Sequence, residues 1–210
     1  MKRALAICGV GFAVATHAAA QGTFQNLDFE SAMVPPGSTL VPVSEGLPGW
    51  QVHDESDEKL TTLSYNAYAG SSAVLLGPDA AFGRIEGNFT LLLMGGVRIV
   101  QIGDVPNSAQ SLLFKANNTE GSFAATLGGN SIAVVPLEVT PNYVLYGGDI
   151  SSFAEQTTGL SFSSSGYLYL DSITFSSQAI PEPTCPKLLC WAGALVALWK
   201  AKQTERPLRC

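Results

Sequence analysis

Between residues 21 and 180, short apolar segments alternate with clusters of Gly, Pro, Asn and Ser, and this alternation limits the folds open to the chain. The segments have the length and the β-branched and aromatic content of strands. One of them, "SFAATL", is followed by Gly128, Gly129 and Asn130 and then by "SIAVVPLEV", which predicts a hairpin. The other predicted strands are "TFQNLDFE", "PGWQVH", "KLTTLSY", "SAVLLG", "FTLLLM", "VRIVQIG", "QSLLFKA", "NYVLYG", "TGLSFSS" and "YLYLDSITFSS".

So many short strands predict an all-β domain, an antiparallel β-sandwich of the jelly-roll type. Residues 21–180 are numerous enough for one domain with a sizeable core. They contain no cysteine, so their stability must come from packing, with or without a bound cation, and not from disulfides. One segment, "DISSFAEQ", fits a helix or a turn equally well.

The charge of this domain excludes two classes of partner. Residues 21–180 contain fifteen acidic and only four basic side chains. Nucleic acid and anionic lipid are attracted by positive surfaces, so neither is an expected partner of the domain.

The N-terminus has the order of a secretory signal peptide. Lys2 and Arg3 precede an apolar stretch, and the small residues Ala18 and Ala20 precede Gln21. Signal peptidase requires small side chains at these positions. We expect residues 1–20 to form a signal helix that is removed on export, so that the mature chain begins at Gln21.

Few residues of the domain carry familiar catalytic chemistry. His53 is its single histidine, and the nearest approach to a nucleophile elbow, "GNSIA", ends in Ala instead of Gly. We expect His53 to lie on the surface or at a strand end, and the acidic run "DESDE" to form a solvated loop and not a cation site. Paired carboxylates remain an alternative, because fifteen acids are available and their pairing is spatial.

Asp171 lies in a strongly apolar segment. In "YLYLDSITF" it is in phase with Tyr167, Tyr169, Ile173 and Phe175, so strand alternation predicts that it faces the apolar side. A carboxylate there needs a hydrogen-bond donor, an arginine such as Arg84 or Arg98, or a cation. Asp28 and Glu30 in "NLDFES" would converge on it if the first and last strands are neighbours.

The C-terminus resembles the PEP-CTERM sorting signal of Gram-negative bacteria, since Pro181, Glu182 and Pro183 precede an apolar stretch and a basic tail. The resemblance covers residues 181–210 and implies a transient inner-membrane anchor that an exosortase-type membrane protease processes at the Pro-Glu-Pro. A helix over residues 184–201 would be about 27 Å long and just short of the hydrocarbon core. After processing, the domain would reach the cell surface or the extracellular matrix.

The domain itself resembles, more loosely, the jelly rolls of galactose-binding-like and carbohydrate-binding modules, through "NLDFES", "LPGWQV" and "YLYLDSITFS". In such modules, acids of the opening and closing strands can hold a structural calcium ion. Glu30 and Asp171 match those positions, whereas Ser172 stands where a second Asp is common. The resemblance therefore implies a calcium site, and it leaves the ligand-binding residues unknown.

Two classes of function follow from these observations. The first is a non-catalytic surface or matrix protein that binds a neutral polysaccharide through the flat faces of Trp50 and six tyrosines. Several of these aromatic residues must instead lie in the core, and Trp50 is the first of them that we expect there. The alternative is an unrecognised secreted hydrolase that acts on glycans through paired carboxylates. An aromatic surface on one sheet would favour binding, and two facing carboxylates in a cleft would favour hydrolysis. The candidate tyrosines are Tyr65, Tyr68, Tyr143, Tyr146, Tyr167 and Tyr169.

Overall fold

A computed structural model of the chain describes residues 22–68 and 73–180. These residues form fourteen strands, one four-residue α-helix and a single turn of 3-10 helix, Ser151–Phe153, where the helix or turn was predicted. The strands and the helix are β1 (Leu40–Pro42), α1 (Val43–Gly46), β2 (Gln51–His53), β3 (Lys59–Leu60), β4 (Thr62–Tyr65), β5 (Ala73–Leu76), β6 (Thr90–Leu93), β7 (Arg98–Asp104), β8 (Ser111–Glu120), β9 (Phe123–Leu127), β10 (Asn130–Ser131), β11 (Val134–Val139), β12 (Val144–Asp149), β13 (Thr157–Ser164) and β14 (Tyr167–Ser176).

The strands form two sheets. The eight-stranded sheet has the order β1-β4-β5-β6-β14-β8-β12-β11, and the six-stranded sheet has the order β10-β9-β13-β7-β2-β3. All pairs in the described residues are antiparallel except β4 with β5, which is parallel and departs from the expected pattern. The predicted all-β sandwich is confirmed. The predicted hairpin after Leu127 forms only over Asn130–Ser131, which pair with β9, whereas Val134–Val139 of its second segment pairs with β12 in the other sheet.

The inner faces of the two sheets share one core. Phe114 of β8 lies at its centre and contacts Phe162 of β13 edge-to-face, with ring centroids 5.0 Å apart. Phe123 of β9 and Tyr146 of β12 complete the aromatic cluster around it. Trp50 is buried as predicted and donates its indole N–H to the carbonyl of Asn26. The buried rings and aliphatic side chains replace disulfides as the source of stability.

The opening segment is not the strand that its sequence predicts. Asn26 and Phe29 adopt positive φ angles of 49° and 61°, which turn the chain in place of extending it. The alternating apolar residues Phe24, Leu27 and Phe29 are nevertheless buried. The alternating pattern thus predicted the burial of these three side chains correctly, but it did not predict the backbone conformation. An irregular backbone can bury them as well as a strand can. The segment still contacts β14, because the N–H of Ile173 donates to the carbonyl of Leu27.

The predicted signal helix (residues 1–20), Gln21 and the sorting segment (residues 181–210) lie outside the described residues. Within residues 22–68 and 73–180, no helix is long and apolar enough to cross a membrane. The transmembrane helix predicted over residues 184–201 is therefore still a prediction.

Candidate functional site

The outer face of the eight-stranded sheet carries a second, smaller apolar cluster. Val74, Leu76 and Leu92 are fully buried there, although they point away from the main core. They are covered by the connection between β5 and β6, residues 77–89, which we call the strap. Phe82 of the strap packs on this cluster from above, and Tyr167 and Tyr169 of β14 flank it. The strap thus turns part of an outer sheet face into a second packed layer.

The alternation of β14 is interrupted beside this cluster. Leu168 and Leu170 face the main core, whereas Tyr167 and Tyr169 face the strap. A bulge then shifts the register after Asp171, and Ser172 has a φ of 49°. The prediction that Asp171 lies on the same face of the strand as Ile173 and Phe175 is therefore wrong. A bulge inserts one extra residue, so the side chains after it point to the opposite faces from those that strict alternation predicts. Asp171 lies on the side of the tyrosines.

Asp171 is nevertheless buried, with 1% of its surface exposed, because the strap covers it. Its Oδ2 accepts hydrogen bonds from Thr90 Oγ1 at 2.7 Å and from the N–H of Glu86 at 3.3 Å. Its Oδ1 accepts from the N–H of Ser172 at 2.7 Å. Burial raises the pKa of Asp171 to about 6, and the nearby charge of Glu30 adds to the rise, although the hydrogen bonds oppose it.

Neither arginine proposed as a partner of Asp171 contacts it. Arg84 donates to the carbonyl of Gly87 within the strap, and Arg98 pairs with Asp57 on the other sheet. Hydrogen-bond donors, one of the three alternatives, do contact Asp171: a hydroxyl and two backbone N–H groups. Sequence reasoning did not single out Thr90, although its hydroxyl lies at the first position of the apolar strand β6.

Glu30 also contacts the strap. Its Oε1 accepts from the N–H groups of Asn88 at 2.8 Å and Phe89 at 2.9 Å, and its Oε2 accepts from Asn88 Nδ2 at 3.0 Å. Glu86 of the strap pairs with Lys115 of β8 and accepts a hydrogen bond from Ser172 Oγ at 2.8 Å. The ammonium and the hydroxyl lower the pKa of Glu86 below its ordinary value.

Glu30 and Asp171 line one pocket, as the sequence suggested they would if the two ends of the domain met. The pocket has a volume of about 280 Å³, and Asp28, Glu86 and Ser172 also line it. Among the described residues, no group of three or more His, Cys, Asp and Glu side chains is arranged to hold a metal ion. Calcium binding by Glu30 and Asp171 therefore stays a prediction.

Phe82, Tyr167 and Tyr169 pack against the small outer cluster, and two further tyrosines, Tyr68 and Tyr143, lie beyond it on the same side of the sheet. Tyr68 is 53% exposed and stacks on Phe82, with ring centroids 5.5 Å apart and an interplanar angle of 9°. Burial raises the pKa of Tyr169 above its ordinary value, and interactions with Tyr68, a hydrogen bond among them, raise it further. We call Tyr68, Phe82, Tyr143, Tyr167 and Tyr169 the aromatic band.

The band continues across the sheet through strand register. Asn117 of β8 lies opposite Tyr169, and Val144 lies opposite Ala116, which places Tyr143 beside Asn117. Lys115 lies over the Tyr143 ring, 5.0 Å from its centroid. Two inter-strand spacings separate Tyr169 from Tyr143, a distance of about 10 Å. Rings at the two ends and an amide between them form a row of apolar and polar groups.

The remaining tyrosines and His53 have structural roles. Tyr146 stacks on Phe114 in the core, with ring centroids 5.6 Å apart, and Tyr65 packs against Gly77. His53 ends β2 as expected, and its Nδ1 lies 3.1 Å from the carbonyl oxygen of Asp57. The run "DESDE" forms a surface turn, in which Asp54 Oδ1 accepts from the N–H groups at positions 56 and 58.

The described residues define a class of protein: an all-β sandwich whose larger sheet has an aromatic outer face. No protein-family model matches the chain. No curated protein matches it either.

Two solved structures show a distant likeness to the chain. One is the carbohydrate-binding module TmCBM61 in complex with β-1,4-galactotriose, with 10% identity, a TM-score of 0.47 and coverage of 76% of this chain and 100% of that chain. The other is the catalytic unit of a thermostable GH87 α-1,3-glucanase from Streptomyces thermodiastaticus strain HF3-3, with 13% identity and a TM-score of 0.38. The match to the glucanase spans 65% of this chain and 28% of that chain. Both TM-scores are too low for either likeness to bear on ligand or activity.

Proposed function

We propose that the domain is a non-catalytic module that binds a neutral polysaccharide through the aromatic band. The observation that carries this proposal is the row formed by Tyr169, Asn117 and Tyr143 across three neighbouring strands. Flat apolar rings stack on the apolar faces of sugar rings, and an amide between them hydrogen-bonds to hydroxyls. An acidic domain repels anionic polymers, which favours a neutral ligand.

The geometry of the row also favours an extended chain. Tyr169 and Tyr143 lie about 10 Å apart, close to the length of a disaccharide, so that they would contact alternate sugars. The sheet rotates by roughly 20° from strand to strand, so the two rings present slightly rotated faces. A straight, gently twisted glycan fits such a surface better than a tightly coiled one.

Variants of the band test this proposal by measured affinity. In a glycan array with neutral, acidic and matrix-derived glycans, the purified chain is expected to retain neutral ones. Tyr169→Ala and Tyr143→Ala should each weaken binding about tenfold in affinity electrophoresis, because each removes one stacking surface. Tyr169→Phe keeps the ring and should bind nearly as wild type does. Val139→Ala, which shortens an exposed apolar side chain outside the band, is the matched control.

Binding that is unaffected by both alanine variants would contradict the proposed location. Failure of the wild type to bind any glycan on the array would contradict the function.

The glycan hydrolase is a second candidate because four carboxylates line one pocket and the pKa of Asp171 is raised to about 6. A raised pKa suits a general acid. However, Asp171 is 1% exposed, and both of its oxygens already accept protein hydrogen bonds. We therefore favour a structural role for it. Release of reducing ends from a neutral glycan by wild type, and its loss in Asp171→Asn, would establish the hydrolase instead.

We further propose that the chain is exported and sorted through its two ends. Signal peptidase would cleave before Gln21, and an exosortase-type protease would process the segment around Glu182. Pro181 and Pro183 support this proposal, because proline disfavours helix and keeps the flanking backbone extended and accessible. The protein would then act at the cell surface or in the extracellular matrix.

Replacing Pro181, Glu182 and Pro183 by Ala is expected to leave the protein in the inner membrane, because the tail would no longer be removed. Membrane fractionation with immunoblotting measures the distribution. Pro207→Ala in the basic tail is the control and should be released normally. Normal release of the triple variant would show that the motif has no part in sorting.

A further inference from the structure

The strap is held at its C-terminal half by carboxylates from two distant parts of the chain. Glu30, which precedes β1, accepts three hydrogen bonds from Asn88 and Phe89. Asp171 of β14 accepts one from the N–H of Glu86. Hydrogen bonds to an ionised acceptor are about twice as strong as neutral ones. These contacts fix the end of the strap against the rest of the domain.

The other half of the strap builds part of the aromatic band. Phe82 forms the stacked pair with Tyr68. Gly83 has a φ of 77°, and a Cβ there would overlap the ring of Tyr169, so the strap backbone lies directly against that ring. Phe82 and Gly83 are only a few residues from the carboxylate contacts. Their positions therefore depend on where the end of the strap is held.

The residues between the two halves stiffen this connection. Arg84 Nη1 donates to the carbonyl of Gly87 at 3.0 Å, and the N–H of Ile85 donates to Thr90 Oγ1 at 3.0 Å. The same Thr90 hydroxyl donates to Asp171. A displacement at the carboxylates would be transmitted to Phe82 through hydrogen-bonded backbone, since few residues lie between to absorb it.

We propose that Glu30 and Asp171 are positioning residues of the aromatic band, which they fix by latching the strap without touching the ligand themselves. The consequence for affinity rests on the proposed polysaccharide binding, whereas the latch itself does not. When Glu30 is removed, the strap keeps the apolar contacts of Ala80 and Phe82 and the hydrogen bond to Asp171, but it loses the three hydrogen bonds that Glu30 accepts. Local opening of this segment then becomes easier than global unfolding.

Limited trypsin digestion tests the latch independently of any ligand. Arg84 lies in the strap, whereas Lys59, Arg98 and Lys115, the other basic residues of the described part, lie in strands. In the purified full chain, Glu30→Ala should accelerate cleavage after Arg84 about tenfold, as followed by mass spectrometry. Glu30→Gln should remain close to wild type, because its amide oxygen can still accept from two backbone N–H groups.

Glu138→Ala removes an exposed acid on β11 and controls for the change in charge. If Glu30→Ala is cleaved after Arg84 no faster than Glu138→Ala, the latch is overturned. If Glu30→Ala fails to fold, Asn88→Ala removes one of the same hydrogen bonds from the strap side and is expected to accelerate cleavage by a smaller factor. Cleavage of Asn88→Ala at the wild-type rate would then overturn the proposal.

Affinity for a glycan is the second readout. If Glu30 only stabilised the fold, its variants would not change the affinity measured on fully folded protein. For the glycan that wild type retains on the array, Glu30→Ala should lose about fivefold in affinity at a temperature where it is fully folded. Glu30→Gln should restore binding. Unchanged affinity in Glu30→Ala would overturn the positioning role. If wild type binds no glycan, the proposed function fails, and the trypsin rates alone decide whether the latch exists.

Discussion

Phe114→Ala is expected to lower the free energy of unfolding by about 4 kcal/mol, the largest effect of a single substitution that we predict. Phe114 is fully buried and contacts Tyr146 of its own sheet and Phe123 and Phe162 of the other sheet. Removing its ring leaves a cavity that neither sheet can close alone, since each is held by its own hydrogen bonds. Chemical denaturation of the purified chain, followed by far-UV circular dichroism, measures the loss.

Ile102→Ala is the matched control for this substitution. Ile102 is 71% exposed on the outer face of β7, so shortening it should change the free energy of unfolding by no more than about 0.5 kcal/mol. A loss of less than about 1 kcal/mol in Phe114→Ala would mean that the two sheets do not share the core described above.

Asp171 should make the domain less stable as the pH rises. The pKa of Asp171 is about 6 in the folded protein, whereas the ordinary value, which applies to the unfolded chain, is 3.8. The folded state therefore binds the proton more tightly than the unfolded state does. The stability that this group contributes is fully present below the lower pKa and is lost as the pH rises through the higher one. The difference of about two pKa units corresponds to a loss of about 3 kcal/mol.

Asp171→Asn isolates this contribution because the amide does not titrate. The free energy of unfolding of wild type minus that of the variant should fall by about 3 kcal/mol as the pH rises from about 3 to about 8. Glu138→Gln, which neutralises an exposed acid, should show no such fall. A pH-independent difference between wild type and Asp171→Asn would show that Asp171 titrates at its ordinary pKa.

Addition of calcium at neutral pH tests the predicted cation site at Glu30 and Asp171. If Glu30 and Asp171 bind the ion, calcium should raise the melting temperature of wild type and leave that of Asp171→Asn unchanged, because binding to the folded state stabilises it. A wild-type melting temperature that does not respond to calcium would contradict the predicted calcium site, and the proposed role of the two carboxylates at the strap would be unaffected.

The sequence by itself was sufficient for the fold class. Alternation of apolar and polar residues and the presence of turn-forming residues are local features of the chain. Segments such as residues 98–104 and 123–127 were therefore predicted as strands close to their observed bounds. Burial of Trp50, the strand-end position of His53 and the solvated turn of "DESDE" were also predicted correctly. Each of these depends on the residue and its immediate neighbours in the chain.

The candidate site could be predicted only in part. The sequence singled out Glu30 and Asp171, and the structure brings both to one pocket. It did not single out Phe82, Glu86 or Asn88, because the strap has no periodic pattern and its role arises only when it folds back over the sheet. The alternation rule also failed at Asp171, since a bulge is a local backbone event that a pattern of residue types does not record.

The sequence alone thus determined that the domain is an acidic, cysteine-free β-protein, because charge, composition and short-range alternation are properties of the chain itself. Only the tertiary structure decided which tyrosines face the core and which face outward. Tyr146 and Tyr143 lie three residues apart, yet one stacks on Phe114 and the other lies under Lys115. That division depends on strand register and on the position of the strap, which are set by contacts between residues far apart in sequence.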